Sequence, residues 1–231
     1  MNQGIFIALS GAILKEQQVE LTAQNLSNSN SLAYKKTKMS FKDYLSGPES
    51  QKTGTIMTDL AGLIIDFANG EITPTGNPFD VALEGNGFIA LEGKQYTRRG
   101  DLRRDPEGFL STKSGIKVLG QNGPISLPLG KMEIGLKGEV VVDNNPIDTL
   151  KLVDFADKKI LTQVSGDTYK SDQEGVPTKA VIRQGCLEGS NVDIFYEMVQ
   201  VVSTMREFQA LQKTIQSFDE ITAKMNEVAR V

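Results

Sequence analysis

Four carboxylates stand close together near the middle of the chain: Asp80, Glu84, Asp101 and Asp105. A pair of carboxyl groups flanking a glycosidic bond can serve as acid and base, so glycan hydrolysis is the first chemistry to weigh. Their spacing marks no two of them as buried or convergent, and turn-forming or solvated roles account for all four. Gly85-Asn86-Gly87 has the outline of a phosphate loop. No Lys-Ser/Thr pair follows it and no helix pattern opens there, so it reads as a turn. Arg98, Arg99, Arg103 and Arg104 make a basic cluster, but Asp101 and Asp105 interleave with it. That reads as a salt-bridged strand face rather than a nucleic-acid site. Cys186 has no second Cys to resolve it and no His to activate it, which leaves a small packed side chain. Asn25-Leu26-Ser27 is a formal glycosylation sequon inside a helical pattern, and carries no weight there.

Composition narrows the chemistry further. The 231 residues include no His, no Trp and one Cys. That excludes imidazole base catalysis, a Ser-His-Asp triad, an internal disulfide and a CxxC metal site. No cofactor and no metal are expected, and the chain reads as non-enzymatic. A net charge of −4 and a pI near 5.1 argue against nucleic acid as a partner. No apolar run reaches the 18 or so residues of a spanning helix, so the chain is not expected to cross a membrane. Gly4 to Leu14 has the length of a signal-peptide core. No Lys or Arg precedes it and no small-residue cleavage site follows, so it reads as the first half of an amphipathic helix on an uncleaved N-terminus.

The elements that organise the chain lie at its ends. Ile5, Leu9, Ala12, Glu16, Val19, Ala23 and Leu26 recur at steps of four and three, the period of a coiled-coil seam. The Asn and Ser run from Asn25 to Ser31 then ends the helix, because those side chains compete for backbone hydrogen bonds. At the other end Ile194, Met198, Val201, Met205, Phe208, Leu211, Ile215, Phe218, Ile221, Met225 and Val228 recur at steps of three or four. Neither Gly nor Pro interrupts residues 191 to 229, with Asn191 as the expected N-cap and Asp193 in the positive first turn. A helix with one narrow apolar stripe cannot bury it alone, and each large apolar side chain left wet forfeits about 1.5–3 kcal/mol. The two stripes are therefore expected to meet each other and then other copies of the chain.

Between the ends the period changes to two. Val81-Ala82-Leu83 and Gly87 to Leu91 read as a hairpin about Glu84-Gly85-Asn86-Gly87. Tyr96-Thr97-Arg98 and Gly108-Phe109-Leu110 flank the turn Asp105-Pro106-Glu107-Gly108. Ile116 to Leu119 and Ile125 to Leu127 flank Asn122-Gly123, and Glu139 to Val142 lead into Asp143-Asn144-Asn145-Pro146. Leu150 to Val153 and Thr168 to Lys170 continue the series. Short strands at this spacing predict a sandwich or barrel-like middle domain. The fold class expected is α+β: N- and C-terminal coiled-coil helices flanking a mainly-β middle. The bounds are 1–46 for the N-terminal helix and connector, 47–185 for the middle with an extended linker at 47–70, and 186–231 for the C-terminal helix.

Three motifs together resemble one family. The first is Leu21-Thr22-Ala23-Gln24-Asn25-Leu26-Ser27-Asn28 with Tyr34-Lys35. The second is Thr75 to Phe88, reading TGNPFDVALEGNGF, with Tyr96-Thr97-Arg98 and Asp105-Pro106-Glu107-Gly108. The third is Leu187-Glu188-Gly189-Ser190-Asn191-Val192-Asp193, then Glu197-Met198-Val199, Arg206 and Asp219-Glu220. In this order they are similar to the bacterial flagellar basal-body rod proteins, axial proteins related to the hook, most like the proximal-rod type with the distal-rod type next. Ala33 stands where the family's first signature carries Gly before the aromatic, so the local turn is open to difference.

The resemblance implies a structural subunit whose terminal helices pair and pack with neighbours around a channel, with the β domain outside. It implies export through the flagellar type III apparatus without a cleaved signal, a place in the periplasm-spanning rod, and torque transmission for motility. The partners are other rod subunits and further copies of the chain. The residues expected at the assembly interface are those of the two stripes together with Asn25 and Asn28, the last two in capping or inter-subunit hydrogen bonds. The alternatives are a β-domain adaptor that dimerises through its terminal helices and, third, a wall-degrading hydrolase built on Asp80 or Asp101.

Overall fold

The computed structural model describes the backbone over residues 2–45 and 56–228, and side chains over residues 4–40 and 62–225. The chain divides into two units. The first comprises Met1–Asn28, Thr37–Asp66 and Val192–Val231, and the second Ser29–Lys36 and Phe67–Asn191. The architecture is α+β, with one long helix at each end of the described chain and short strands between.

In the first unit, helix α1 spans Asn2–Ser27 and helix α2 spans Ile194–Val228. At a rise of 1.5 Å per residue, α2 is about 50 Å long. Helix α1 stops where the Asn/Ser run begins: the Asn28 amide nitrogen donates to the Gln24 carbonyl at 2.9 Å, filling an acceptor the helix end leaves open. Helix α2 starts on Asp193, whose carboxylate accepts from the Tyr196 backbone N–H at 3.1 Å. Asp193 is thus the cap in place of Asn191, which binds elsewhere. The helices run antiparallel, since a Cβ on Gly4 would lie 3.1 Å from the Phe218 ring, one on Gly11 would lie 3.5 Å from Leu211, and Lys15 pairs with Glu207 at 2.6 Å.

The same unit holds an antiparallel ribbon of Thr37–Leu45 and Ile56–Ile65, paired from Thr37 with Ile65 to Leu45 with Ile56. A bulge lies between Ser40 and Phe41. The stretch read as an extended linker therefore contributes a long strand at Ile56–Ile65, and its remainder from 47 to 55 lies outside the described residues. Asn25 ties α1 to the ribbon. Its amide nitrogen donates to the Thr37 carbonyl at 2.9 Å and its amide oxygen accepts the Thr37 N–H at 3.1 Å. A side-chain amide carries the same donor and acceptor as a peptide, so it stands in for a neighbouring strand.

The second unit is a set of small antiparallel sheets that do not close into a barrel. The largest has six strands in the order Thr162–Ser165, Thr168–Lys170, Gln95–Thr97, Phe88–Leu91, Leu152–Asp154 and Val176–Pro177. The central strand Phe88–Leu91 is buried at every position. Ile89 and Leu91 join an aliphatic core with Val81, Leu110, Val140 and Ile182. Phe88 turns the other way, onto the rings of Phe67, Phe155 and Tyr169 at centroid distances of 5.5–6.1 Å.

Two turns follow the expected chemistry. Asp105 accepts the Phe109 N–H on its carboxylate at 2.7 Å, and its carbonyl accepts from Gly108 N–H. The hairpin about this turn pairs Arg103–Arg104 with Leu110–Ser111. Asp143 and Asn144 both have positive φ, the signature of the two-residue turn between Glu139–Val142 and Asn145–Thr149. The expected hairpin of Val81–Glu84 with Phe88–Leu91 does not form. Val81–Glu84 pairs with Val181–Gln184, and Phe88–Leu91 with Gln95–Thr97 and Leu152–Asp154. The carbonyls of Leu83, Gly85 and Gly87 that such a hairpin would turn about are instead taken by the Arg98 guanidinium.

Candidate assembly surface

The sequence named two helical stripes; the structure sorts their residues by face. On α1 a face of buried or half-buried positions runs through Ile5, Ala8, Ala12, Lys15, Val19, Thr22 and Leu26, with the buried Asn25 beside its end. On α2 the corresponding face runs through Glu197, Val201, Thr204, Phe208, Leu211, Ile215, Phe218 and Thr222, and both sets step by three and four. Of the residues singled out from sequence, Ile5, Ala12, Val19, Leu26, Val201, Phe208, Leu211, Ile215 and Phe218 lie on these inner faces. Ile194 is half-buried at the start of α2, and the side chain of Val228 lies outside the described residues.

Leu9, Ala23, Met198, Met205, Ile221 and Met225 are exposed, one position off the inner face in each helix. The neighbours that replace them, Ala8, Thr22, Glu197 and Thr204, are at most 6% exposed. The reason is close approach. Gly4 and Gly11 leave room for the Phe218 ring and the Leu211 side chain to seat against α1, with Ala8 and Ala12 buried on the same face, and the larger Leu9 is turned out. Thr22 can be buried because its hydroxyl donates to the Gln18 carbonyl at 2.7 Å. Asn25 is 2% exposed and its amide is engaged with Thr37 within the chain, while Asn28 caps α1. The result is a helix pair that meets along one face, where Phe208, Leu211, Ile215 and Phe218 are half-buried, and is wet on the other, where Phe195 is 82% exposed, Val199 66% and Phe6 62%.

The second unit contains a charged cluster that the sequence reading missed. Glu188, Lys35 and Arg98 have side chains no more than 2% exposed. Glu188 accepts from Lys35 Nζ at 2.7 Å on one oxygen and from Arg98 Nε at 2.8 Å on the other. The first oxygen also accepts the Gly70 N–H at 2.9 Å. Lys35 spends a further proton on the Ala68 carbonyl at 2.8 Å. Arg98 uses its terminal nitrogens on Asn69 Oδ1 and the carbonyls of Leu83, Gly85 and Gly87 at 2.9–3.1 Å. Burial pulls the Lys35 ammonium below the ordinary lysine value, and its pairing with Glu188 acts in the opposite sense.

Around this cluster the chain is laced further. Asn191 accepts the Lys36 N–H at 2.7 Å and donates to the Ala68 carbonyl at 3.0 Å. A Cβ on Gly70 would collide with the Gly189 carbonyl, so only glycine fits there. Ala33 holds a φ of 54°, the left-handed conformation that glycine takes easily, and donates its N–H to the Glu188 carbonyl at 2.9 Å. The turn is thus made with alanine, at the strain that conformation brings. Tyr34-Lys35, Gly85-Asn86-Gly87, Tyr96-Thr97-Arg98 and Leu187-Glu188-Gly189 stand as separate motifs in the sequence, and they meet here. The signal available in the sequence was a charged residue in three of these motifs, Lys35, Arg98 and Glu188, and a pair of turn-forming glycines in the fourth.

The carboxylates weighed for hydrolysis are each committed locally. Asp80 accepts from the Thr75 hydroxyl at 2.7 Å and the Asn77 amide at 2.9 Å, closing a turn. Glu84 pairs with Arg183, and Asp101 with Arg99 and Lys113. Burial alone would raise the Asp101 carboxyl, but hydrogen bonds from Arg99 and Lys113 prevail and hold it below the usual range. Cys186 is half-buried in a strand paired with Ile72–Pro74. No helix among the described residues is long and apolar enough to cross a membrane.

Comparison with known proteins fits these features. Residues 183–228, which include the Glu188 strand and all of α2, match the family described as flagellar basal body rod FlgEFG protein C-terminal. Over its full length the chain is similar to the flagellar basal-body rod protein FlgF of Caulobacter vibrioides, at 26% identity over 96% of each chain. It is 27% identical to FlgF of Escherichia coli over 99% of this chain and 98% of the relative. It is 26% identical to the rod protein FlgG of Bacillus subtilis over 100% of both. Its C-terminal segment thus matches the rod-protein family, and from end to end the chain is similar to flagellar basal-body rod proteins.

Proposed function

We propose that this chain is a structural subunit of the bacterial flagellar basal-body rod, built into a helical assembly through its terminal helices. The observation that carries the reading is end-to-end similarity to rod proteins, with the matched C-terminal domain falling on the helix that bears the exposed apolar face. The paired helices act as a coiled-coil inner domain, closed on one face within the chain and completed on the other by neighbouring subunits. Of the domain plan of residues 1–46, 47–185 and 186–231, the first and last segments carry this packing, and the strand Ile56–Ile65 belongs to the same unit as they do. The stripe residues of both helices supply the interface, with the inner-face members holding the pair together and the outer ones meeting neighbours. Asn25 and Asn28 set the end of α1 from which the ribbon departs.

In this reading the subunit leaves the cell through the flagellar type III apparatus without a cleaved signal. It takes its place in the periplasm-spanning rod, of the proximal type first and the distal type next, and passes torque from motor to hook. Its work is mechanical: buried contacts that resist shear, with no bond made or broken. Deleting the encoding gene in the source bacterium is the test, with swimming and basal-body images as readouts. Loss of swimming and of complete rods, both restored by the wild-type gene, is expected. Intact rods that lack this chain in its absence and rotate normally would overturn the proposal.

A further inference from the structure

The chain passes between the two units four times, at Asn28–Ser29, Lys36–Thr37, Asp66–Phe67 and Asn191–Val192. Inside the second unit, each passage is fastened close to where it enters, and all are fastened to one short stretch, residues 188–191. After the first passage, the Ala33 N–H donates to the Glu188 carbonyl at 2.9 Å. Before the second, Lys35 Nζ donates to the Glu188 carboxylate and the Lys36 N–H to the Asn191 amide oxygen, both at 2.7 Å. After the third, the Ala68 carbonyl accepts from Lys35 Nζ at 2.8 Å and from the Asn191 amide nitrogen at 3.0 Å. Two residues on, the Gly70 N–H donates to the Glu188 carboxylate at 2.9 Å, and the Glu71 carbonyl accepts the Gly189 N–H at 2.8 Å. At the fourth, the Asn191 N–H donates to the Tyr34 carbonyl at 3.3 Å. Lys35 and Glu188 stand 153 positions apart, so these bonds close most of the chain into a loop.

We infer that this network is a clasp, which ties the four passages together so that they open as one or not at all. The inference deepens the mechanical reading above and rests on it. Two features carry it. The first is that the passages share their partners. Glu188 holds the first three through its carbonyl and its carboxylate, and Asn191 links the second, third and fourth. The second is that the ions at the centre are dry, with the Lys35 and Glu188 side chains 0% exposed. Letting go of one contact leaves a buried charge without its partner, a far larger penalty than parting an exposed pair. A half-open clasp is therefore less favourable than a closed one or a fully open, wetted one, and the bonds are expected to part together. A pull on α1 enters the second unit along the chain at Ser29, and a pull on α2 enters at Asn191. The clasp joins residues 33–36 directly to residues 188–191, so tension between the two ends passes across these bonds and not through the strands of the aliphatic core.

Amide hydrogen exchange on the full-length chain, resolved residue by residue by NMR, tests the clasp. In the wild type the amides of Ala33, Lys36, Gly70, Gly189 and Asn191 are expected to share one protection factor, since a single opening exposes all five. Asn191→Ala removes the side-chain bonds to the Lys36 N–H and the Ala68 carbonyl, and leaves in place those that the Gly70 and Ala33 N–H groups make to Glu188. Exchange at Gly70 and Ala33 is nevertheless expected to rise at least about tenfold, by one common factor. The amides of Ala90 and Val118, bound to the carbonyls of Lys151 and Leu110 in the core, should keep their rates. Acceleration confined to Lys36 overturns the clasp, because the bonds then open singly. Acceleration of Ala90 and Val118 by the same factor also overturns it, because the variant has then lowered the stability of the whole unit. Should Asn191→Ala fail to fold, Lys35→Met takes its place. It leaves Glu188 paired with Arg98, and Gly189, bound to Glu71, becomes the distant reporter. Piecewise opening in the purified chain sinks the clasp alone, whatever the rods contain. A clasp that opens as one, in a chain absent from purified rods, sinks the rod reading alone.

Discussion

The two units bury different things. In the second, sixteen large aliphatic side chains close around one core, and even its ions are sealed, with Lys35, Arg98 and Glu188 sharing a dry site. In the first, the buried apolar residues among those described are Ala8, Ala12 and, at its border, Val192, while Phe6, Phe195, Val199 and Val202 face water. One unit is finished by its own sequence; the other, among the described residues, leaves several of its large apolar groups outside. Burial worth about 1.5–3 kcal/mol per large side chain is thus still to be gained by the helices, which suits a subunit whose stability comes from neighbours.

That contrast can be broken most forcefully in the second unit. Glu188→Ala leaves two cations buried without their carboxylate, and a loss of about 3–5 kcal/mol in unfolding free energy is expected. Chemical denaturation followed at the tyrosines of this unit, Tyr96 and Tyr169 among them, measures it, and a loss under 1 kcal/mol would show the cluster to be ornamental. Next in size is the division between helix faces. Leu211→Ala, on the inner face, is expected to lower the stability of the helix pair by about 2 kcal/mol. Val202→Asp, on the outer face, should move it by no more than about 0.5 kcal/mol while abolishing rod incorporation. Equal effects of the two on stability would erase the distinction between faces.

A smaller effect concerns pH. Asp101 is held below the ordinary carboxylate range, so the folded state binds its proton less readily than the unfolded state does. Its contribution is therefore complete above the unfolded value of about 4 and is lost as pH falls through the lower, folded one. With exposed partners the size is about 1 kcal/mol. Asp101→Asn should lower stability at pH 7 and flatten its decline below pH 4; an unchanged acid limb would remove Asp101 from the account. The smallest effect is expected at Ala33. Relief of left-handed strain, about 1 kcal/mol, nearly offsets the buried methyl lost in Ala33→Gly, so thermal unfolding should barely move. Ala33→Val, which cannot take that conformation easily, should cost more than about 1 kcal/mol.

Much of this was legible in the chain. Period alone located both helices, because a three-and-four spacing sustained over many turns matches the pitch of an α-helix and not the alternation of a strand. The Asn/Ser run told where α1 stops. The turns at Asp105 and Asp143-Asn144 were readable because those residues make their own local hydrogen bonds. The partner of Val81–Glu84 was not, since strand pairing across a hundred residues leaves no local mark. The ion cluster escaped for the same reason: Lys35, Arg98 and Glu188 look like surface charges until the fold brings them together.

The amino-acid sequence by itself determined where the helices lie, which stretch alternates, and that two apolar stripes would want covering, because these follow from the periods of the backbone. Only the tertiary structure decided which side of each stripe is closed within the chain. That choice turns on how Phe218 and Leu211 seat over Gly4 and Gly11, contacts between residues two hundred positions apart, and no local pattern encodes it.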